Sequence, residues 1–472
     1  MSYLKLSRMP EGLAVFRAAT PTDEETRARL LLLARTFNEC QPGNAIKRRY
    51  YEGHIRLSEV NLGLALPQGM ANLEIGCAWG EKAVDVLAAR SMFDGFVGEN
   101  GETAEAMTGI AEANDLLSEY GKATRNELTY GCAFATLSAD KVRGCRIAWH
   151  SPETAAALWD DEKGRIGCGF AVLAVRRSSG VYRRLEPSAV AYYDDRATWI
   201  LRRDYRDVWA GERVPHNLGV PLMVPLVWNA TSAKPFGRSR LKEPIRNLIK
   251  GYVRTMADAT IALEFSTAPQ KYVLGFTDEQ YDVITGDKFR AYVGSILAAT
   301  QNPETGEKPT VGQLSQGSLE PHITQLRALS TQFSAATGLT VTDVGVVNDA
   351  NPTSSDAILA QSQTLVLMAE QLNAGNGYAL KNIALLAQAI ARGVTPEELT
   401  DEEKSVIPHF KNPAMPSVAV TADAAVKIAS SREGFAQTDT FLEMVGFSQA
   451  DIRRIRTQEA RARGNAILSG LE

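Results

Sequence analysis

LKEPIRNLIKGYVRTM, residues 241 to 256, carries the clearest helical pattern in the chain. Its apolar residues recur every three or four positions, as one face of an α-helix requires; they are Leu241, Ile245, Leu248, Ile249, Tyr252, Val253 and Met256. Proline is tolerated only in the first turn of a helix, so the helix is expected to start close to Pro244, to reach Phe265 and to end before Pro269.

A basic stripe accompanies this apolar face and consists of Lys242, Arg246, Lys250 and Arg254. Residues four apart stack on one helix face, and each like-charge pair costs an isolated helix about 0.2 to 0.5 kcal/mol. Only Asp258, one turn beyond Arg254, offsets that repulsion. We therefore expect the stripe to meet anions outside its own helix, either phosphates or acidic residues of a neighbouring subunit. A solvated face is the third possibility, because salt screens the repulsion.

Downstream of residue 265 the pattern predicts further helices separated by less regular segments. The predicted segments are a strand at 271–275, a helical piece at 278–297, a turn at 302–306, a helix at 321–337 that Gly338 stops, a β-like run to Val344, the polar loop 348–355, and a helix that reaches Arg392. The last helix would have about forty residues and a length of ~60 Å. Gly375-Asn376-Gly377 lies inside it and is expected to kink it or split it in two.

Upstream, helical segments precede a region of short strands. Helices are predicted at 22–37, at 81–93 and at 105–130, the last broken near Gly121, and the region 143–227 reads as a small antiparallel sheet domain. Its final segment, 218–226, contains two prolines and is placed at a sheet edge or in a connector. The tail, 394–472, opens with a capping box at 395–398 and ends in an arginine-rich helix at 448–468. The fold is thus predicted to be α+β and mainly helical.

Composition limits the classes of protein to consider. With 472 residues and 44% hydrophobic content, the chain can bury the cores of roughly two to four domains. The 51 basic and 55 acidic residues leave a net charge of -4, which gives no overall attraction to nucleic acid or to anionic membranes. The five cysteines form no close pair, so free thiols and a reducing, cytosolic setting are expected. No segment reads as a signal peptide or a membrane span.

We find no catalytic constellation. The phosphate-loop, nucleophile-elbow and His-Glu-x-x-His patterns are absent, and the five histidines are scattered without ligand spacing. The acidic pairs Asp160-Asp161 and Asp194-Asp195 could bind a cation, but their turn-like context favours solvated loops. The expectation is a protein without enzymatic activity, cofactor or metal ion.

Several segments together, in this order, resemble the portal proteins of tailed bacteriophages, of the siphophage type. The resemblance covers roughly residues 45 to 395, and no single motif is diagnostic. It is carried by Arg49-Tyr50-Tyr51-Glu52-Gly53, Trp79, the helix leading to Gly95-Phe96, Leu218-Gly219-Val220-Pro221-Leu222, Gly237-Arg238-Ser239-Arg240-Leu241, Ala268 to Gly275, Leu339 to Asp343 and Asn351-Pro352-Thr353-Ser354-Ser355-Asp356 with the helix after it.

The resemblance implies a division of the chain into the parts of a portal subunit. These parts would be a wing with a small β region (1–236), two stem helices (237–268 and 321–338), a clip between them (269–320), a tunnel-loop region (339–356), a long wing helix (357–393) and a helical crown (394–472). Asn348, Asp349, Asn351, Pro352 and Thr353 would form the tunnel loop. The same loop also reads as an ordinary N-cap, with Ser354 or Ser355 capping the long helix.

The resemblance also implies the function. Copies would form a homo-oligomeric ring, a dodecamer in the virion, at one capsid vertex through which double-stranded DNA is packaged and ejected. Partners would be non-specifically bound DNA, the large terminase, a head-tail connector or adaptor, and the major capsid and scaffolding proteins, with no membrane. The protein would lie in the virion, and in the host cytoplasm during assembly. A DNA-packaging or DNA-processing enzyme and another phage minor capsid protein are the competing hypotheses.

A physical argument from the residues agrees with a ring. Two stem helices joined by a long insertion cannot bury both of their apolar stripes on each other. Leu241 through Met256 are therefore expected to pack partly against neighbouring copies.

Overall fold

The computed structural model describes residues 24–56, 74–98, 104–177, 185–204, 209–267, 271–274, 310–313, 317–345, 355–414, 418–432 and 434–469. The chain divides into two compact units. The larger unit comprises the described residues of 1–52, 80–242 and 350–472, and the smaller unit those of 53–79 and 243–349. The segment 53–79, predicted to belong to the wing with its flanking residues, therefore belongs to the same unit as the predicted stem.

The described residues form the mainly helical α+β fold that the sequence predicts. The helices are α1 (Glu24–Tyr51), α2 (Trp79–Arg90), α3 (Glu105–Ala113), α4 (Leu116–Tyr130), α5 (Glu243–Thr267), α6 (Glu320–Thr337), α7 (Ser355–Arg392), α8 (Asp401–Lys404), α9 (Val418–Ser431), α10 (Asp439–Val445) and α11 (Gln449–Ser469). Short 3-10 turns lie at Pro396–Glu398 and Phe435–Gln437.

The strands form small antiparallel sheets. They are β1 (His54–Arg56), β2 (Glu74–Gly76), β3 (Phe93–Val97), β4 (Cys132–Asp140), β5 (Gly144–His150), β6 (Ala155–Asp160), β7 (Arg165–Arg177), β8 (Leu185–Tyr193), β9 (Ala197–Arg203), β10 (Trp209–Pro215), β11 (Met223–Val227), β12 (Lys271–Leu274), β13 (Thr310–Gln313) and β14 (Ile407–Phe410). One sheet has the order β10-β9-β8-β7-β6, another β11-β4-β5, and β1-β2, β12-β13 and β14-β3 are pairs.

The predicted edge position of the proline-rich segment is confirmed. Strand β11 is an edge strand of the three-stranded sheet, and Pro225 lies opposite Phe134 of β4. A proline cannot donate a ladder hydrogen bond, so it is tolerated where one side of the strand is unpaired. The sequence reading missed β4 itself, which starts before the predicted β region.

Two hydrophobic cores organise the larger unit. In one, Leu33 and Phe37 of α1 pack against the five-stranded sheet, where the Phe37 and Phe170 rings lie 5.3 Å apart edge to face. In the other, α3, α4 and α7 cover the three-stranded sheet, with Ile383 and Leu137 at 0 and 1% exposure. The smaller unit contains α5, α6 and the pairs β1-β2 and β12-β13.

The first helix is longer than predicted, because it continues through Pro42 to Tyr51. A proline inside a helix removes one backbone hydrogen bond. Contacts on both sides of it hold α1 in place: Gln41 Nε2 and Asn44 Nδ2 both donate to the carbonyl oxygen of Pro152, at 3.1 and 3.2 Å. The predicted start at residue 22 lies outside the described residues.

The predicted break near Gly121 is wrong, since the chain breaks between α3 and α4 at Asn114 and Asp115. The Asn114 amide donates to the Cys145 carbonyl oxygen at 2.8 Å and accepts the Ile147 N–H at 2.9 Å, so it clamps the helix end to β5. The next residue, Asp115, then adopts a left-handed conformation with φ 49°. A contact distant in sequence, rather than the glycine, sets the break.

Three other predictions need correction. Helix α7 runs unbroken for 38 residues, so of the two outcomes predicted at Gly375-Asn376-Gly377 the split is wrong and the kink stays a prediction. The β-like run to Val344 is a turn, in which the Thr340 N–H and Oγ1 donate to Asp343 Oδ2 at 2.9 and 2.8 Å. The predicted crown is not wholly helical, because β14 pairs with β3, and Phe93 therefore lies in a strand rather than at a helix end.

Other predictions stand or lie outside the described residues. Helix α5 starts beside Pro244, α6 ends at Gly338 with φ 72°, and the final helix falls within one residue of its predicted ends. The strand at 271–274 is present and pairs with 310–313. The helical piece at 278–297, the turn at 302–306 and Pro269 lie outside the described residues.

A glycine substitution tests the contact between α1 and α2. A Cβ at Gly80 would lie 1.9 Å from the Tyr50 carbonyl oxygen, so Gly80→Ala is expected to destabilise the larger unit by about 3 kcal/mol or more. Gly375→Ala is the matched control. No atom lies within 4 Å of its added methyl, and alanine in an exposed helix position stabilises by about 0.5 to 1 kcal/mol. Melting temperatures that change equally in the two variants would contradict the contact.

Candidate functional site

The segment before α5 is fixed tightly within the larger unit. Gly237 adopts φ +67°, and a Cβ there would lie 2.2 Å from the Trp228 carbonyl oxygen. Three hydrogen bonds hold the residues that follow: Arg238 N donates to Trp228 O (3.0 Å), Ser239 Oγ to Thr129 O (2.6 Å) and Arg240 N to Leu128 O (2.8 Å). The Gly237-Arg238-Ser239-Arg240-Leu241 stretch thus needs a glycine at its start and a hydroxyl in its middle.

Arg240 secures the same segment with a buried cation. Its side chain is 6% exposed, its Nε donates to the Ala83 carbonyl oxygen, and its Nη1 lies 3.5 Å from Met368 Sδ. Burial lowers the pKa of this guanidinium to about 10, so it stays charged at neutral pH. The Arg240 side chain is buried and cannot contact an external ligand. A buried cation needs hydrogen-bond partners, so its role is to stabilise the fold.

Helices α5 and α6 pack together in the smaller unit. Gly251 of α5 makes a close approach possible, since a Cβ there would lie 3.3 Å from Leu329 Cδ2 of α6. The Trp79 ring stacks at 4.1 Å from the Tyr252 ring and at 4.6 Å from the Phe333 ring. One tryptophan therefore joins the two helices through their aromatic residues.

The apolar face of α5 is covered more completely than predicted. Leu241, Ile245, Ile249 and Val253 are 0 to 3% exposed within the single chain, so neighbouring copies are not needed to bury them. The chain itself thus covers these four residues, and the predicted partial packing of this helix face against sister subunits stays a prediction for the rest of it. Leu248, Tyr252 and Met256 remain half-buried and keep surface available for contacts outside the chain.

The basic stripe lies beside the buried row. Lys242 is exposed and immediately precedes α5, whereas Arg246, Lys250 and Arg254 lie on the helix and are half-buried. Arg254 Nε lies 3.7 Å from Asp258 Oδ2, with both side chains partly exposed. A partly exposed pair at that distance contributes about 0 to 1 kcal/mol. Whether phosphates, a neighbouring subunit or solvent faces it stays a prediction.

The predicted tunnel loop cannot be placed. Asn348, Asp349, Asn351, Pro352 and Thr353 lie outside the described residues, as does Ser354. Ser355 is the first residue of α7, in agreement with a helix that begins at the end of this loop.

A buried polar network in the larger unit was not anticipated from the sequence. Ser91 Oγ donates to Asn373 Oδ1 at 2.6 Å and accepts the Tyr120 hydroxyl at 2.7 Å. The Asn376 amide donates to the Tyr120 oxygen at 3.0 Å and to Glu127 Oε2 at 2.8 Å. The network joins α4 and α7 through side chains. The polar Gly-Asn-Gly triplet inside an apolar helix was the only sequence signal for it.

Glu127 is the titratable member of this network. Its side chain is 0% exposed, and burial raises its pKa from 4.5 to about 8, with the Asn376 hydrogen bond opposing the shift. At neutral pH the carboxyl is therefore mostly protonated. A buried neutral acid that bonds an amide on another helix is a structural group.

The acidic pairs Asp160-Asp161 and Asp194-Asp195 lie in turns, and the first aspartate of each pair accepts backbone hydrogen bonds within its turn. Asp160 Oδ1 accepts the N–H groups of Glu162 and Lys163 at 3.1 Å, and Asp194 Oδ1 accepts those of Arg196 and Ala197 at 2.8 and 2.6 Å. Within the described ranges, no group of three or more His, Cys, Asp or Glu side chains could hold a metal ion. All five cysteines are free thiols, as predicted. Among the helices that the structure describes, none has the length and apolarity of a membrane span.

Comparisons with known proteins identify a family and several similar proteins. A family model described as phage portal protein, SPP1 Gp6-like, matches residues 45–464. The portal protein of Mycobacterium phage D29 is 25% identical over 435 residues, covering 89% of this chain and 86% of that protein. The portal protein of Mycobacterium phage L5 is 24% identical over 451 residues, covering 92% of this chain and 88% of that protein. A chain in the solved virion of a native gene transfer agent particle is 11% identical with a TM-score of 0.47, covering 86% of this chain and 93% of that chain.

The buried network predicts a specific pH dependence. Between pH 4.5 and 8 the folded protein holds a proton on Glu127 that the unfolded chain releases, so this group makes stability fall as pH rises. Glu127→Gln removes that titration and keeps the shape. Its stability relative to the unmodified protein is expected to rise across pH 5 to 8, by up to about 1.4 kcal/mol per pH unit. Parallel stability-pH curves from urea denaturation would refute a neutral Glu127.

Proposed function

Since the chain belongs to the SPP1 Gp6-like family of phage portal proteins and is a structural portal subunit, we propose that its copies form the ring at one capsid vertex through which double-stranded DNA is packaged and ejected. The observation that carries the proposal is the extent of the family match, residues 45–464, which spans both compact units. The ring is a homo-oligomer, and we expect a dodecamer in the virion. The protein is then a virion component that passes through the host cytoplasm during assembly.

The parts of the ring subunit follow the two units of the chain. We assign the larger unit to the wing and the crown, and the smaller unit to the two stem helices, α5 and α6, and the clip between them. The boundary between units at Lys242 and Glu243 supports this assignment, because it falls close to the predicted wing-stem boundary at residue 237. We assign the segment 53–79 to the stem side instead of the wing, because it belongs to the smaller unit.

The clip, 269–320, is the proposed docking region for partners. The large terminase meets it during packaging, and the head-tail connector or adaptor takes its place afterwards. The wing is the side that meets the major capsid and scaffolding proteins. DNA is bound non-specifically, and the tunnel-loop residues Asn348 to Thr353 restrict the bore sterically, since this loop contains no lysine or arginine.

The stem stripe has two proposed roles that an experiment can separate. Arg246, Lys250 and Arg254 face either the phosphates of passing DNA or acidic residues of the adjacent subunit. These side chains are half-buried beside the covered apolar row of α5. This position supports direct contact with an anion that lies against the helix. We propose no enzymatic activity and no cofactor for this protein, because the family is structural.

Imaging tests the ring directly. Negative-stain micrographs of the purified protein at high concentration are expected to show rings with a central hole, and native mass spectrometry is expected to give one subunit number. A population of only monomers and dimers under both methods, at low and high salt, would count decisively against the proposal. Stoichiometry per particle separates a portal from a minor capsid protein, which would be present in many more copies.

Charge reversal tests the stem stripe. Changing Lys242, Arg246, Lys250 and Arg254 to glutamate is expected to abolish rings or DNA packaging, because it places like charges against the anions that the stripe meets, while the monomer keeps its helicity. Lys122→Glu is the control, since Lys122 is 61% exposed and pairs with Glu119 in its own helix. Loss of monomer folding would instead make the stripe part of a core. Unchanged rings and packaging would leave only a solvated face.

A further inference from the structure

One side of the arginine-rich helix α11 packs against and bonds other residues of its own chain. Ser448 caps its start, where the Asp451 N–H donates to Ser448 Oγ at 3.2 Å, and Ile452 is 2% exposed. Arg456 also bonds its own chain, because its guanidinium donates to Asp439 Oδ1 at 2.6 Å and to Glu459 Oε2 at 2.9 Å. These contacts fix α11 on α10 and orient the rest of the helix.

The opposite side of α11 is a basic face, defined here as Arg453, Arg454 and Arg461. Successive residues of an α-helix turn by about 100°, so Arg454 and Arg461 lie within about 20° of one another and Arg453 within about 100° of both. The two carboxylates of the helix, Asp451 and Glu459, fall outside that arc. Arg454 is 77% exposed, Arg453 is 42% exposed, and Arg461 is exposed. All three guanidinium groups are therefore carried on one accessible face.

The ion pairs on this face are weak. Arg453 Nη1 lies 3.8 Å from Glu112 Oε1, and Arg454 Nη1 lies 3.9 Å from Asp451 Oδ1, with all four side chains at least 42% exposed. Exposed pairs of this length contribute about 0 to 1 kcal/mol. A guanidinium has five N–H donors, so the one carboxylate at 3.9 Å leaves Arg454 with donors for an external anion.

The chemistry of the face favours the backbone of duplex DNA over a protein or a single strand. Protein interfaces are built around buried aromatic or aliphatic anchors, and single-stranded nucleic acids are held by stacking on aromatic rings. The arc between Arg453 and Arg454 has neither, and its exposed residue between the arginines is Thr457. From Arg453 to Arg461 the face extends for about 12 Å along the helix, which is long enough to meet several phosphates of one duplex.

We propose that the basic face of α11 is a contact site for the phosphates of double-stranded DNA, separate from the stem stripe. The inference rests on the proposed DNA-conducting function and deepens it by naming a second contact. The stem arginines are half-buried, whereas the Arg454 side chain is 77% exposed and therefore more accessible to a ligand. Contact through exposed arginines and without base readout is non-specific, as a conducting protein requires.

A salt titration with a matched control tests this site. The full-length protein, as purified, binds a random-sequence duplex in fluorescence anisotropy across a range of NaCl concentrations. Each phosphate contact contributes about 0.9 to the slope of log K against log salt concentration, so R454Q/R461Q should lower that slope by about 1.8. R454K/R461K keeps the charge and should restore the slope. R35Q is the control, because Arg35 is also 77% exposed on a helix but pairs at 2.8 Å with Glu39.

Three outcomes would overturn the inference: an unchanged slope in R454Q/R461Q, an equal loss in R35Q, or displacement of the duplex by a polyglutamate peptide at equal charge. Circular dichroism and melting temperature of R454Q/R461Q should match the unmodified protein, because these side chains lie outside the helix contacts. Electron micrographs of the same variant separate this failure from that of the proposed function. Rings without a slope change reject only the α11 site, whereas absent rings in the unmodified protein reject the portal assignment.

Discussion

The constraint on which the larger unit depends is the buried bond between Asn376 of α7 and Glu127 of α4. Both side chains are essentially inaccessible, and 249 positions separate them in sequence. Two glycines beside Asn376 weaken the helix by about 1 kcal/mol each. Helix α7 nevertheless continues through the triplet, and the asparagine gives the buried Glu127 carboxyl a hydrogen bond. A polar contact thus sets the register of an apolar helix that covers β4, β5 and β11.

Helix α7 also anchors the first part of the tail, residues 394–472. Gln388 of α7 donates to the Glu403 carbonyl oxygen at 3.2 Å, and Arg392 bonds the Glu403 carboxylate, so α8 is tied to the end of α7. Strand β14 then pairs with β3. The helices that follow, including arginine-rich α11, therefore start from a well-anchored base. Because the start of α11 is fixed, ligand binding to its arginines does not have to immobilise the helix itself, which lowers the entropic cost of binding.

Local chemistry explains what the sequence could predict. Pro244, Gly338 and Pro225 each act through their own backbone, so the start of α5, the end of α6 and an edge strand could be read directly. The errors have the opposite origin. Asn114 breaks a helix because of Cys145 and Ile147, and Pro152 supports α1 around Pro42. The burial of Glu127 depends on a helix from the other end of the chain. Of the candidate site, the stem stripe was predictable because its period is local. The burial of the neighbouring apolar row was not, since it depends on elements distant in sequence, among them α6.

The distribution of charge suits a protein that must release the polymer it holds. Many cations are already engaged internally: Lys47 donates to the Tyr130 carbonyl oxygen, Arg48 pairs with Glu153, and Arg203 with Glu186. The basic stripe of α5 and the basic face of α11, by contrast, are carried on half-buried or exposed side chains. Each phosphate contact adds affinity and salt dependence, so a continuous basic surface would hold a duplex in place. In the proposed ring, few and exchangeable contacts per copy would let one contact break as another forms. The sum of these weak attractions would then centre a duplex and still let it move along the axis.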